Sequence, residues 1–399
     1  MTHSTGGRIA QVVTMKREFD TGMDVLLEDR RDVVAGKRIG LVTHQAGLTA
    51  GGEWNAARMH RDPGISLTCL LGPEHGVFGQ AGAGEVVATV EHPAWRIPVY
   101  SLYGEHRKPT PAMLDGLDLI VVDLQDLGVR CYTFVSTLYL VMEAAAELSI
   151  PVVVTDRAIP LPDVVDGPMR DEKFTSFVAQ NELPMVYGMS QGETASYFSI
   201  THSWDLDLLV VPMRNYKRCS YRQEDWHPWS PPSTGIRSWE SAWCYPVTVC
   251  TEALPSLDCD RTGPLPFQVL GAAWMKGETV AAELASLRLP GIAVYPHFYY
   301  AGRDASERVL VEGIRFVITD PSLIQPVTAG LQVLETLQKL YGRELVWRDA
   351  REDFFDQLYG VDTVRQQLQS GGPVTELARG WREEQSDFLK LRSQCMLYA

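Results

Sequence analysis

The chain has 399 residues, of which 45% are hydrophobic and 22% are charged, and its formal net charge at pH 7 is −14. This composition excludes a disordered chain, a coiled coil and a collagen-like repeat, and the length suggests two or three domains. Acidic residues outnumber basic ones by 50 to 36, and lysine and arginine form no dense cluster. We therefore expect neither a nucleic-acid partner nor an anionic membrane partner.

The cysteines, the N-terminal residues and the length of the apolar runs indicate the cellular compartment. The seven cysteines show no CxxC spacing, so we expect neither a disulfide framework nor a structural metal site. The first 20 residues lack the apolar core of a signal peptide, and no apolar run approaches the ~18 residues of a membrane span. These features predict a cytoplasmic protein.

In the first half of the chain, short apolar runs alternate with helical patterns. The runs predict strands over 37–43, 66–71, 97–100, 117–123, 151–155 and 208–212. Their β-branched residues are continuous rather than alternating with polar ones, which is typical of strands buried on both faces. Helices are predicted over 138–148 and after the capping box formed by Ser190 and Glu193. This alternation predicts an α/β, Rossmann-like, mostly parallel sheet.

The second half has a different pattern. Residues 214–266 are rich in tryptophan, proline, serine and cysteine, and we predict long ordered loops there. Amphipathic helices over 279–287 and 328–340, with a strand over 309–319 between them, predict a smaller α+β domain. The resulting division is an N-terminal extension over 1–22, a Rossmann-like domain over 23–212 and an α+β domain over 213–399.

Polar side chains follow each of the first five predicted strands. In a parallel open sheet, ligands bind outside the carboxyl ends of the strands, so these side chains predict a cleft at that edge. The candidates, in chain order, are His44, Gln45, Glu74, His75, Tyr103, Glu105, Arg107, Asp123, Gln125, Asp126, Arg130, Asp156 and Arg157.

The turn Gly72-Pro-Glu-His-Gly76 is the most specific of these elements. It holds the Glu74 side chain on a rigid backbone, and a partly buried carboxyl group retains its proton more readily, which suits a general acid. His75 could position Glu74 or carry a proton; alternatively, Glu74 only caps a helix. The glycines over 79–84 lack the spacing of a phosphate loop, and no metal-ligand spacing occurs, so we expect no cofactor. No GxSxG elbow occurs either, so we do not expect a serine hydrolase.

Four ordered motifs carry a family resemblance. They are Gly36-Lys-Arg-Ile-Gly-Leu-Val-Thr-His-Gln45, Gly72-Pro-Glu-His-Gly76, Ser101-Leu-Tyr-Gly-Glu-His-Arg-Lys-Pro-Thr110 and Asp123-Leu-Gln-Asp-Leu-Gly-Val-Arg-Cys-Tyr-Thr133. From about residue 23 onward the chain resembles the bacterial exo-β-N-acetylmuramidases of glycoside hydrolase family 171, the NamZ-like proteins. The resemblance implies a Rossmann-like domain, a smaller α+β domain, and a site in the cleft between them.

The activity implied by this resemblance is release of N-acetylmuramic acid from the non-reducing ends of peptidoglycan fragments. It implies Glu74 as the catalytic acid, and we assign His75 and Asp126 to catalysis with it. Asp123 is an alternative second carboxylate. Arg107 or Arg130 could pair with the lactyl carboxylate of the sugar. The full set assigned to substrate binding is Gln45, Tyr103, Arg107, Asp123, Arg130, Tyr132, Asp156 and Glu252.

The chain departs from the family pattern in two segments. After the fifth predicted strand it has Asp156-Arg-Ala-Ile-Pro160 where relatives usually have Asp-Arg-Pro-Asn-Pro. Relatives also carry a Glu-Gly-Thr-Asn run that is replaced here from Glu252 onward, so that the segment 250–261 is rewritten. Altered specificity is therefore an alternative, either as a different reaction in a specialised biosynthetic pathway or as non-catalytic ligand binding.

Overall fold

The computed structural model describes residues 19–218, 229–302, 308–347 and 350–399, without the side chains of 343–346. In chain order, its strands are β1 (Arg38–Thr43), β2 (Ser66–Gly72), β3 (Val90–Glu91), β4 (Pro98–Ser101), β5 (Leu119–Asp123), β6 (Val152–Thr155), β7 (Asp166–Met169), β8 (Pro184–Val186), β9 (Leu208–Val211), β10 (Val269–Ala272), β11 (Ile292–Ala301) and β12 (Val309–Ile318).

The helices, also in chain order, are α1 (Gly22–Glu28), α2 (Asn55–Arg61), α3 (Pro111–Leu114), α4 (Phe134–Leu148), α5 (Gln191–His202), α6 (Trp239–Thr248), α7 (Gly277–Leu287), α8 (Pro326–Trp347), α9 (Glu352–Tyr359), α10 (Thr363–Ser370), α11 (Val374–Glu384) and α12 (Ser386–Cys395). None of these described helices combines the length and the apolar character needed to cross a bilayer.

The main sheet has seven strands in the order β3-β4-β2-β1-β5-β6-β9. All neighbouring pairs are parallel except β3 with β4. From β1 the chain first adds strands on one side and then returns to add β5, β6 and β9 on the other. The boundary between β1 and β5 is therefore the topological switch point, where open parallel sheets bind ligands. The predicted Rossmann-like fold is confirmed.

Strand β5 shows why the apolar runs are continuous. All five of its residues are buried. Ile120 and Val122 belong to the core cluster that includes α4, whereas Leu119 and Val121 belong to the cluster that includes α1 and α2. Helices thus cover both faces of the sheet, and the four positions before Asp123 all carry apolar side chains.

The second half builds an antiparallel sheet of order β10-β12-β11, against which α6 and α7 pack, and α8 packs in turn on those two helices. The predicted strand near 309–319 and both predicted helices are confirmed as β12, α7 and α8. The prediction of loops throughout 214–266 is wrong, because α6 lies within that segment. Ser238 and Ser241 form a capping box at the start of α6, and Pro246 lies near its end. The sequence interpretation missed this helix because proline usually breaks a helix rather than lying inside one.

Some of the predictions concern residues that the structure does not describe. These are residues 1–18 of the predicted N-terminal extension, and Cys219. The six other cysteines are buried free thiols. Asp20 pairs with Arg214 through two backbone hydrogen bonds, which hold residues 19–21 beside the strand end of β9.

Candidate active site

Glu74 lies in the turn that follows β2, at the carboxyl edge of the main sheet. Its side chain is fixed by two donors: the Gly84 N–H donates to Oε1 at 2.8 Å, and the Thr133 hydroxyl donates to Oε2 at 2.7 Å. The residue is 8% exposed, so the carboxyl group is nearly enclosed but still reachable. The glycine-rich run over 79–84 therefore contributes a backbone donor to this carboxylate.

The backbone beside Glu74 is strained. His75 has a φ of +73° and Gly76 a φ of +78°. Left-handed backbone is costly for a residue with a side chain, and such strain concentrates at functional sites. The His75 ring is held by its Nδ1 atom, which lies 3.0 Å from the Ala81 carbonyl oxygen. Because a carbonyl only accepts, Nδ1 carries a proton, and Nε2 is the ring nitrogen that remains for another partner.

His44 has a structural role at the end of β1. Its ring is fully buried, and the Gln125 N–H donates to its Nε2 at 2.9 Å. Burial, followed by the charge of Arg157, lowers the pKa of His44 to about 3. The ring therefore stays neutral and fixes the β5 loop against the β1 loop.

Tyr103 and Arg107 lie beside Glu74. Burial and the neighbouring Glu74 carboxylate raise the pKa of Tyr103. The Arg107 guanidinium carbon lies 4.3 Å from the centre of the Phe177 ring and 5.0 Å from that of Tyr103. Two rings thus hold an exposed cation against Tyr103, which itself neighbours the candidate acid.

The second half of the chain closes over the same place. The Gln45 amide donates to the carbonyl oxygens of Pro231 and Pro232, at 2.8 Å and 3.1 Å. Arg261 pairs with Glu252 at 2.9 Å and lies within electrostatic range of Tyr103. Two residues of the rewritten segment 250–261 thus form an ion pair on the side of the fold that carries Tyr103.

Tyr132 and Asp126 form the buried side of the cluster. Tyr132 is 5% exposed and lies within electrostatic range of both Glu74 and Asp126. Asp126 accepts hydrogen bonds from the N–H groups of Leu127 and Gly128 and from the Tyr187 hydroxyl. Burial is the main cause that raises the pKa of Asp126 to about 7.

The structure corrects the expectation for Arg130. Its side chain is fully buried, and its guanidinium donates to the carbonyl oxygens of Pro168, Leu183, Leu358 and Tyr359. A guanidinium enclosed by backbone carbonyls cannot reach a substrate carboxylate. Arg130 instead joins the β7–β8 hairpin to α9.

Asp123 and Asp156 are corrected in the same way. Asp123 is fully buried and forms an ion pair with Arg157 at 2.6 Å. Asp156 is also fully buried; it accepts hydrogen bonds from the Gly192 N–H and from the hydroxyls of Ser190 and Tyr398. Burial and the nearby Glu193 raise the pKa of Asp156 to about 6. Both carboxylates lie at the carboxyl ends of their strands as predicted, but their side chains pair with groups inside the fold instead of facing the cleft.

The sequence interpretation missed three contributors to the site. Thr133 ends a quoted motif, but no spacing rule indicates that its hydroxyl reaches Glu74. Phe177 comes from a distant segment and packs on Tyr103 only in the fold, and Arg261, from another segment, comes within electrostatic range of Tyr103. Across the described residues, no three histidine, cysteine, aspartate or glutamate side chains converge as metal ligands.

Comparison with known proteins places this geometry in a family. The profile of the N-terminal part of exo-β-N-acetylmuramidase NamZ matches residues 39–240, and that of the C-terminal part matches residues 243–398. The peptidoglycan β-N-acetylmuramidase NamZ of Bacillus subtilis strain 168 is 34% identical over 384 residues, which cover 96% of this chain and 92% of that protein.

Solved structures agree with this assignment. The crystal structure of a DUF1343 family protein from Bacteroides fragilis is 30% identical, with a TM-score of 0.89, and the match covers 96% of this chain and 100% of that one. A second DUF1343 family protein from the same organism is 23% identical with a TM-score of 0.75, covering 95% and 99% of the two chains, and supports the fold. The predicted resemblance is confirmed, and the chain belongs to the exo-β-N-acetylmuramidase NamZ family.

Proposed function

We propose that this chain is a glycosidase that releases N-acetylmuramic acid from the non-reducing ends of peptidoglycan fragments. The observation that carries the proposal is the Glu74 carboxyl group, which two donors orient at the edge of the sheet in a chain of this family. Cleavage of a glycosidic bond requires a proton for the leaving oxygen, and a nearly enclosed glutamate is suited to supply it.

The proposed mechanism assigns the acid role to Glu74. The Thr133 hydroxyl can rotate, so it donates to the carboxylate and accepts from the carboxylic acid. The side chain is therefore held in both protonation states of the catalytic cycle. Asp126 is proposed as the second acidic group, because Asp123 is neutralised by Arg157 whereas Asp126 has no cationic partner among the described residues. His75 is proposed to support Glu74 through its fixed ring.

Arg107 is proposed to bind the lactyl carboxylate that distinguishes N-acetylmuramic acid from N-acetylglucosamine. The other arginines near the site are engaged: Arg130 with backbone carbonyls and Arg261 with Glu252. Within the described part of the chain, Arg107 forms no ion pair, and its guanidinium is held by Tyr103 and Phe177. Gln45, Tyr132 and Glu252 are proposed to complete the substrate-binding surface.

The acid role is tested with Glu74→Gln, which keeps the shape and one acceptor oxygen but removes the transferable proton. General acid catalysis contributes roughly 10²–10⁴-fold, so turnover of a chromogenic β-N-acetylmuraminide should fall by about that factor. Glu105→Gln is the matched control, because the Glu105 carboxylate is 88% exposed and should be dispensable. Equal activity of Glu74→Gln and the parent would refute the assignment. Absence of cleavage by the parent would refute the glycosidase proposal.

The specificity role is tested with Arg107→Gln. Loss of a hydrogen bond to a charged group costs ~1.5–3 kcal/mol, which corresponds to roughly 10–100-fold in kcat/KM for the muraminide. Arg96→Gln is the control, because the Arg96 side chain is 73% exposed and pairs with Glu91. An unchanged kcat/KM for Arg107→Gln would show that another group binds the carboxylate.

A cytoplasmic location is proposed as well. The six described cysteines are buried and free, including Cys131 and Cys250, which lie within electrostatic range of each other. Unpaired thiols are typical of a reducing compartment. Fractionation of the producing cells with an antibody against the chain tests this location.

A further inference from the structure

The far ends of β11 and β12 form a two-stranded ribbon with an apolar face. Residues directly opposite each other in an antiparallel pair share a face, and the register places Tyr300 opposite Leu310 and Phe298 opposite Glu312. Phe298 and Tyr300 are two residues apart and also share a face. Phe298, Tyr300 and Leu310, which we call the ribbon patch, are 61%, 60% and 59% exposed. Clustered apolar side chains with this exposure mark an interaction surface.

Helix α7 covers only the near half of that face. It packs on both strands, and its first residue, Gly277, lies so close to Gly313 that a Cβ there would meet the Gly313 carbonyl oxygen. On the covered half of the face, Ile314 and Phe316 are buried. The ribbon continues beyond the start of α7, so the ribbon patch lies beside the first turn of the helix without cover.

The opposite face of the ribbon is packed. Tyr299, Ala301 and Val311 are buried there together with Val269. The Tyr299 hydroxyl also donates to the Asp258 carbonyl oxygen at 2.6 Å. The ribbon is therefore anchored to the body of the fold on one face while the other is exposed. A surface that is already ordered loses little entropy when it binds a partner.

The charges near the ribbon patch are balanced. Strand β11 contains no aspartate, glutamate, lysine or arginine. Glu312 pairs with Lys276 at 3.5 Å, and Arg308 lies within electrostatic range of Asp260. An apolar surface without net charge attracts neither an acidic nor a basic partner. It does suit a second copy of this chain, because the net charge of −14 makes two copies repel each other except where the local surface is neutral.

We propose that two copies of the chain associate through their ribbon patches, packed face to face about a two-fold axis. In such a symmetric contact the same patch serves both copies. Packed sheets lie about 10 Å apart, so the ribbon of one copy occupies the space beside the start of α7 in the other. The inference goes beyond the proposed function and does not depend on it.

The exposed area sets the strength of this contact. Aromatic side chains bury roughly 150–250 Å² each, so three large side chains that are about 60% exposed offer ~300–400 Å² per copy. Specific interfaces bury about 800 Å² per partner, and smaller ones form complexes that dissociate readily. The ribbon patch therefore corresponds to a dimer that dissociates at micromolar concentrations.

Sedimentation velocity of the full chain at roughly 1–300 μM measures this association. We expect the weight-average mass to rise from that of one chain toward twice that value, with half-association at roughly 10–100 μM. Phe298→Lys and Leu310→Lys each place a charge in the contact and should raise the dissociation constant by about 10-fold or more. Higher salt should tighten the parent dimer, because it screens the repulsion between two acidic chains.

Leu323→Lys is the matched control. Leu323 is 58% exposed, against 59% for Leu310, but it lies beyond the opposite end of β12. This variant should dimerise as the parent does. All three substitutions are at the surface, so each Tm should stay within about 2 °C of the parent value, which circular dichroism checks.

Two results would overturn the proposal. One is a parent that stays monomeric up to about 300 μM, and the other is a dimer that Phe298→Lys and Leu310→Lys both leave intact. A monomeric parent whose Phe298→Lys and Leu310→Lys variants lose binding to insoluble peptidoglycan would assign the ribbon patch to glycan instead of a second copy. Muraminide cleavage is measured separately, so a failure of the glycosidase proposal leaves the dimer test unaffected.

Discussion

Replacing Arg130 with methionine should destabilise the fold strongly while leaving the ligand site intact. The guanidinium donates to four backbone carbonyl oxygens, of Pro168, Leu183, Leu358 and Tyr359. Hydrogen bonds to a charged group contribute ~1.5–3 kcal/mol each, so four of them amount to roughly 6–12 kcal/mol. Returning the buried guanidinium to water offsets several kcal/mol of this. The net loss in the free energy of unfolding should be about 3–5 kcal/mol.

Thermal denaturation followed by circular dichroism measures this loss. At roughly 2 °C per kcal/mol for a large domain, the Tm should fall by ~6–10 °C. Arg96→Met is the control, because the Arg96 side chain is 73% exposed, and its Tm should stay within about 1 °C of the parent value. If Arg130→Met melted like the parent but bound muramyl ligands more weakly, Arg130 would be a ligand-binding residue and the structural assignment would be wrong.

Three further predictions concern stability. Gly360→Ala should lower the free energy of unfolding by ~1–3 kcal/mol more than Gly371→Ala does, as measured by denaturant titration. Both glycines have φ above +70°, but only at Gly360 would a Cβ lie 2.6 Å from Arg130. Similar losses would contradict this contact. Burial raises the pKa of Asp126 to about 7, so the folded state keeps a proton on this carboxyl group that the unfolded state releases above pH ~4. Asp126 therefore lowers the stability of the folded state progressively as the pH rises from about 4 to 7. Asp126→Asn should therefore gain stability relative to the parent over that window, by a few kcal/mol, and parallel Tm–pH curves would refute it. Tyr398→Phe removes a donor from Asp156 and should lower the free energy of unfolding by ~1–3 kcal/mol, and an unchanged Tm would contradict this.

The strands of the main sheet could be predicted because burial on both faces leaves a direct trace in the sequence. The runs at β1, β5 and β6 are almost continuously apolar, and nearly all of their residues are buried. Helix α5 was predictable for a local reason as well, since Ser190 and Glu193 satisfy each other's backbone donors at its start. Helix α6 was not predicted, because Pro246 and a high tryptophan content are typical of a loop. Its packing against α8 is visible only in the fold.

The candidate site was predictable only as a location. Parallel strands end at one edge, so Glu74, Asp126 and Asp156 had to lie along it. Which of those side chains faces the cleft was not fixed by chain order. Asp156 turns toward the start of α5, while Glu74 is held outward by donors at residues 84 and 133.

The sequence by itself determined the parallel sheet, the edge at which polar groups collect and the family, because these depend on apolar patterning and on short motifs. Tertiary structure alone decided the roles of the charged residues. Arg130 and Arg107 both follow predicted strands, yet the first is enclosed by carbonyls from residues 168, 183, 358 and 359, and the second lies exposed on two aromatic rings. The physical reason is that a charge is stabilised by the groups that surround it in space, and two of the Arg130 partners lie more than 200 residues away along the chain.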